Sequence, residues 1–391
     1  MNLERLGKVI AGLLPVPPPE VLDQMVMKID VDTEPKNAYE LLGLLVIAVK
    51  KKNTERALQL AKLIYKSQII GHPPTMATSF ATLAKQTDGE LRALLLMLAA
   101  TSLTIKSDPH VLNYVINIAL ETPLEKCNET CYAYLSMAFS DLYILKHDWT
   151  TYERAWLMYA RSGPYKPVVA AWLPIEDEAD LSKVEEEYRR ADLSAVGALL
   201  EDLGLDMTLE EYKERMAKRI EIDGTQILVN RFLETGNDRY LNIALSYVKG
   251  GFDESRYLKG KILALLGRLK EAREEFLTVG GYYYDRARAN IAVIDTLMGL
   301  PIFVYGNSEL ARLVSYAIGA IKGEKLEYVE EITLLDVILN AFVDISRGEI
   351  PERLKSLTDR LGYAGVINAI FLMVANGKRK DAARLLYFSI I

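Results

Sequence analysis

Residues 254–279, Glu254-Ser-Arg-Tyr-Leu-Lys-Gly260-Lys-Ile-Leu-Ala-Leu-Leu-Gly267-Arg-Leu-Lys-Glu-Ala272-Arg-Glu-Glu-Phe276-Leu-Thr-Val279, read as two short helices broken at Gly267. Gly260 lies inside the first helix and Ala272 inside the second. Small side chains at those places let two helices approach closely. Phe276 follows Ala272 by about one turn and so shares its face. Glycine suits the break because it tolerates the left-handed conformation at a helix C-terminus. Gly236 and Gly299 stand 31 and 32 residues to either side of Gly267, each ending a comparable helix.

Working outward, the same pattern recurs. Gln226 to Val248 is one such unit, and Tyr363 to Asn376, Gly377, then Lys378 to Ser389 is another, with Ala382 and Ala383 as its small contacts. Earlier, Ala38 to Lys50 and Thr54 to Lys66 flank Asn53, with Ala57, Ala61 and Tyr65 at similar offsets. Asn128 to Lys146 and Thr150 to Arg161 place Ala155 and Tyr159 likewise. Almost every other segment carries helical periodicity, and none alternates as a strand. Thr208 with Glu211 forms a capping box, and Asp253 and Asp285 are candidate N-caps.

This order of small, turn and aromatic positions resembles the tetratricopeptide repeat, a helix-turn-helix unit of about 34 residues. The resemblance implies an all-α fold, an irregular α-solenoid in which antiparallel helix hairpins wind into a right-handed superhelix. A single hairpin cannot bury its apolar faces alone, whereas stacked hairpins share a core. The chain then divides into a helical-hairpin half over 1–162, an irregular connection over 163–180 and a repeat-like half over 181–391. Pro164, Pro167 and Pro174 interrupt helix in the connection, and Val168 to Leu173, including Trp172, calls for burial there. Pro15 to Pro19 reads as a stiff elbow between the first two helices. By the same resemblance, first helices line a groove whose inward candidates are Gln226, Asn230, Tyr257, Lys261, Arg286 and Asn290. The expected function is that of a non-enzymatic scaffold holding a peptide or protein.

Composition bounds the alternatives. Half of the 391 residues are apolar and 26% are charged, as in folded domains. No apolar run reaches the roughly 18 residues that span a bilayer, and no secretory signal is evident, so a cytoplasmic location is expected. The formal charge is −6. Residues 1–162 are balanced and the whole acidic excess falls later, which gives no electrostatic support for non-specific nucleic-acid binding. Glutamine, histidine and cysteine are scarce beside lysine, glutamate and arginine, a thermophile-like composition. Cys127 and Cys131 cannot supply a four-ligand zinc site and read as small buried apolar residues.

Enzyme and cofactor motifs are absent: no phosphate-binding loop, nucleophile elbow, paired-histidine zinc motif or dinucleotide fingerprint. An all-helical enzyme or a nucleic-acid binder would need, respectively, a pocket of converging titratable groups or a basic stripe. Glu176-Asp177-Glu178 and Glu185-Glu186-Glu187 read as solvated acids at a helix entry. Tyr282 to Arg288 reads as a helix boundary with a Tyr or two tucked inward, or as a Tyr/Arg contact surface of the kind enriched at interfaces. The C-terminal Leu385, Leu386 and Phe388 cannot share one narrow stripe, and Ile390 and Ile391 follow them. That end is expected to fold back on the chain or to form a twofold dimer.

Overall fold

The computed structural model describes residues 2–302, 308–357 and 364–390. All regular structure among them is helical. The chain runs through α1 (Leu3–Ile10), α2 (Pro19–Lys28), α3 (Ala38–Lys50), α4 (Thr54–Lys66), α5 (Pro73–Lys85), α6 (Gly89–Ser102), α7 (Pro109–Leu120), α8 (Glu129–Lys146), α9 (Trp149–Arg161) and α10 (Lys166–Val169). It continues through α11 (Glu178–Arg190), α12 (Leu193–Asp202), α13 (Leu209–Thr235), α14 (Asp238–Tyr247), α15 (Asp253–Leu265), α16 (Leu269–Leu277) and α17 (Tyr284–Met298). The last four are α18 (Glu309–Lys322), α19 (Leu334–Ser346), α20 (Ala364–Ala375) and α21 (Arg379–Ile390). Two compact units part between Ala217 and Lys218, inside α13.

In the first unit, α3 packs on α1 and α4, and α6 on α5 and α8, which in turn packs on α9. Their shared faces are apolar on nearly every turn. Leu42, Leu44, Leu45, Phe80, Leu94, Leu95 and Tyr134 are essentially inaccessible to water. The stretch 163–180 belongs to this unit: a 3₁₀ turn over Gly163–Tyr165, then α10, with Val168, Val169, Leu173 and Trp172 all buried. Pro164 and Pro167 do not interrupt helix as expected but sit in the first turns of these two short helices, where a missing N–H is tolerated, and the apolar residues reach the core. The Pro15 to Pro19 elbow joins α1 to α2 as the sequence suggests.

The two cysteines differ from expectation. Cys131 is buried, but it is disulfide-bonded to the half-buried Cys127, with Cα atoms 5.2 Å apart. Four residues across a helix start bring the pair within the span such a bond needs.

In the second unit, neighbours in sequence are neighbours in space: α14 on α15, α15 on α16, α16 on α17, α17 on α18 and α18 on α19. Gly267 has φ +79°, and Gly236 and Gly299 likewise hold positive φ at helix ends. A Cβ on Gly260 would lie 2.7 Å from the Phe276 ring. The contact expected between small residue and aromatic is therefore present, and Phe276 is fully buried. Two caps differ from the reading above. Phe252 precedes α15 and Tyr283 precedes α17, so Asp253 and Asp285 are first-turn acids rather than N-caps. There they still meet the positive end of the helix.

The end of the chain departs from an open array, in which each hairpin touches only its neighbours. Helix α21 packs on α20 but also on α15, α17, α18 and α19. Leu385, Leu386, Tyr387 and Phe388 are all buried. Leu385 to Phe388 thus pack within their own unit, and Ile390 is half-buried. Tyr363 and Ile391 lie outside the described residues, as does most of the Pro301 to Gly306 insertion.

Candidate functional site

Adjacent helices α15 and α17 bring four of the six groove candidates together. Tyr257 and Lys261 are one turn apart on α15, and Arg286 and Asn290 are one turn apart on α17. Asn290 Nδ2 donates to the Arg286 carbonyl at 2.9 Å and reaches the Tyr257 hydroxyl at 3.5 Å. The Lys261 ammonium stands 5.9 Å from the centre of the Tyr257 ring. Tyr283 stacks with Tyr257, the ring centres 5.0 Å apart. Gln226 and Asn230 are exposed on α13 and pair with each other, Nε2 to Oδ1 at 2.9 Å.

The four differ in exposure. Tyr257 and Asn290 are buried, Lys261 is half-buried and Arg286 is exposed. Burial, and then the neighbouring Arg286 guanidinium, lowers the Lys261 ammonium to about 8. Burial pushes the Tyr257 hydroxyl up to about 12, against the pull of Asn290 and Arg286. No carboxylate contributes to the state of Lys261, and among the described residues neither Lys261 nor Arg286 makes an ion pair. Two cations thus share one place without a counter-charge. Four buried polar atoms among the described residues of this unit lack a hydrogen-bond partner: Arg256 Nε, Arg288 Nε, Asn290 Oδ1 and the Tyr387 hydroxyl. Burial and the nearby Tyr257 hydroxyl raise Tyr387 well above the ordinary phenol range.

The Tyr282 to Arg288 stretch bears out the helix-boundary reading. It is a helix boundary, a 3₁₀ turn over Gly281–Tyr283 leading into α17. Tyr283 turns inward, and its hydroxyl donates to Glu254 at 3.1 Å. Tyr282 is 80% exposed and Tyr284 46%. Arg286 lies over Tyr282 and Arg288 over Tyr284, at 5.8 and 4.8 Å. This exposed aromatic and guanidinium surface adjoins the Lys261–Arg286 pair along α17.

A second arrangement in the first unit escaped the sequence reading. The acids of α11 are not simply solvated. Asp177 caps the helix, but Asp180 is buried and accepts from Tyr152 at 2.6 Å, and Glu187 accepts from Tyr159 at 2.6 Å. Between these rungs the Lys183 ammonium stands 5.0 Å from the Trp156 ring. Residues 152, 156 and 159 on α9 face 180, 183 and 187 on α11. Only the matched 3–4 spacing on both helices could have shown it, and only if their pairing had been known.

No three His, Cys, Asp or Glu side chains among the described residues are placed to hold a metal. None of the described helices is long and apolar enough to cross a membrane. Comparison with protein-family models, with curated proteins and with solved structures returns no match.

Proposed function

We propose that the chain is a tetratricopeptide-like helical-repeat scaffold that binds a protein or peptide partner through an acidic segment. The single observation that carries this reading is the uncompensated pair Lys261 and Arg286, flanked by the exposed rings of Tyr282 and Tyr284. Bringing a cation out of water with no counter-charge is costly, and a carboxylate from a partner relieves that cost. Aromatic and arginine side chains supply broad contact and forked donors at interface centres. The buried amide of Asn290 holds the Arg286 turn by its bond to that carbonyl. Helix α21 already packs on α15 and α17, so the partner meets the rim that α21 leaves open rather than a long empty groove. Residues Gln226 and Asn230 extend the reading only if the partner also reaches α13.

The test is affinity capture with the full chain and with a Lys261→Glu, Arg286→Glu variant, followed by mass spectrometry. Captured proteins are then assayed singly as purified ligands. The expected result is a partner whose binding weakens by at least tenfold in the variant while the melting temperature stays within a few degrees. A partner that binds both forms equally, or one that binds through a basic segment, would refute the assignment.

A further inference from the structure

The first unit contains an open cleft of about 490 Å³ between α1, α3 and α5, walled at one end by the Pro15 to Pro19 elbow. Its floor is apolar: Leu6, Val9, Leu22, Val46, Leu83 and Val111 all line it. One wall is a row of hydroxyls on α5, at 75, 78, 79 and 82, the spacing of a single helix face. Each of them already has a partner. Thr75 pairs with His72 at 2.8 Å, and Thr78 donates to the Pro74 carbonyl at 2.8 Å. Ser79 donates to the Ile10 carbonyl at 3.4 Å, and Thr82 pairs with Tyr114 at 3.0 Å. Gln86, also on the wall, donates to the Thr82 carbonyl. The remaining polar lining group is Lys50, the last residue of α3, which is exposed and makes no ion pair among the described residues.

We propose that this cleft binds a single-chain amphiphile, an alkyl tail with one anionic head group, with the tail along the α1–α5 floor and the head at Lys50. A site whose hydroxyls already have internal partners rewards apolar surface more than hydrogen-bonding groups. A single unpaired cation at its edge selects one negative charge. Benzene filling a cavity of about 150 Å³ implies roughly 25 Å³ per carbon, so the cleft holds on the order of twenty carbons. The proposal does not depend on the partner site of the second unit.

The experiment is calorimetric titration of the full chain with octanoate, decanoate, dodecanoate and tetradecanoate, and with the matching primary alcohols, all below their micelle concentrations. Each buried methylene tightens binding by up to about fourfold. Affinity is therefore expected to rise roughly tenfold for each two carbons added. Lys50→Glu is expected to weaken the carboxylates by about two- to fivefold, the range of an exposed ion pair, and to leave the alcohols unchanged. Thr78→Trp fills the cleft and is expected to abolish binding of both series. Thr82→Trp, at an exposed position of the same wall, serves if the first variant does not fold. Three results would overturn the proposal: no binding of tetradecanoate, binding that ignores both filling variants, or equal loss of acids and alcohols in the Lys50 variant.

Discussion

Replacing Lys261 with methionine is expected to stabilise the second unit, although it deletes a charge and a contact with Tyr257. The ammonium titrates at about 8 rather than at 10.5, because burial and the adjacent Arg286 disfavour its charged form. At about 1.4 kcal/mol per tenfold change in proton affinity, the native state carries a penalty of at most about 3.5 kcal/mol at neutral pH. Water reaching a half-buried side chain screens part of this, leaving about 1–3 kcal/mol for methionine to recover. The pH dependence has a definite sign. Below pH 8 both folded and unfolded chains hold the proton, and the penalty is present in full. Between about 8 and 10.5 the unfolded chain keeps the proton and the native one has released it, so stability rises with pH. Methionine has no such step, and the gap between variant and wild type should close over that window. Urea unfolding of both proteins at pH 7 and pH 10 measures it, since the ionising tyrosines are common to the pair. Carbon-13 labelling of lysine gives the titration directly, the Lys261 resonance being the one absent from the variant. A variant no more stable at pH 7, or a gap unchanged at pH 10, would refute the account of an uncompensated cation.

Four further outcomes are expected. Phe276→Ala should cost about 3–5 kcal/mol by scanning calorimetry, since the ring is fully buried. Gly260→Ala should cost about 1–3 kcal/mol by driving a methyl into that ring, and the double variant should lose less than the sum of the two. Gly267→Ala should cost about 1 kcal/mol, because alanine disfavours φ +79°. Tyr152→Phe and Tyr159→Phe should each cost about 1–2 kcal/mol by removing a bond to a carboxylate. Burial, and then these carboxylates, raise both phenols, so their contribution is complete below pH 10 and lost at higher pH as the unfolded tyrosines ionise. The wild type should therefore lose stability above pH 10 more steeply than the double phenylalanine variant in a denaturation series.

The helical hairpins were legible because their signals are local. Glycine at 236, 267 and 299 tolerates the positive φ that closes a helix, and the Thr208–Glu211 box joins atoms three residues apart. The packing of Gly260 on Phe276 could also be read, since a small residue on one helix of a hairpin leaves room for an aromatic ring on the other. Of the site, the meeting of Lys261 with Arg286 followed from the same offsets in successive first helices. What α13 does with Gln226 and Asn230 did not follow, because their pairing is a side-chain event on an exposed face.

Tertiary structure decided what depends on distant partners. A run of acids has the same composition whether it meets water or a row of tyrosines, and the zip of α9 to α11 exists only once those helices lie side by side. Likewise Cys127 and Cys131 looked like two small apolar residues until the start of α8 set their separation. The fate of the C-terminal residues was open between self-capping and a dimer, because an apolar surface must be covered but does not specify by what. Packing of α21 on α15, α17, α18 and α19 buries Tyr387 and Phe388 inside their own unit. Sequence by itself thus determined the helices, their breaks and their small-to-large contacts, which rest on interactions within about 35 residues. The tertiary structure alone decided which charged and apolar groups found partners, because burial and desolvation depend on neighbours brought together from remote parts of the chain.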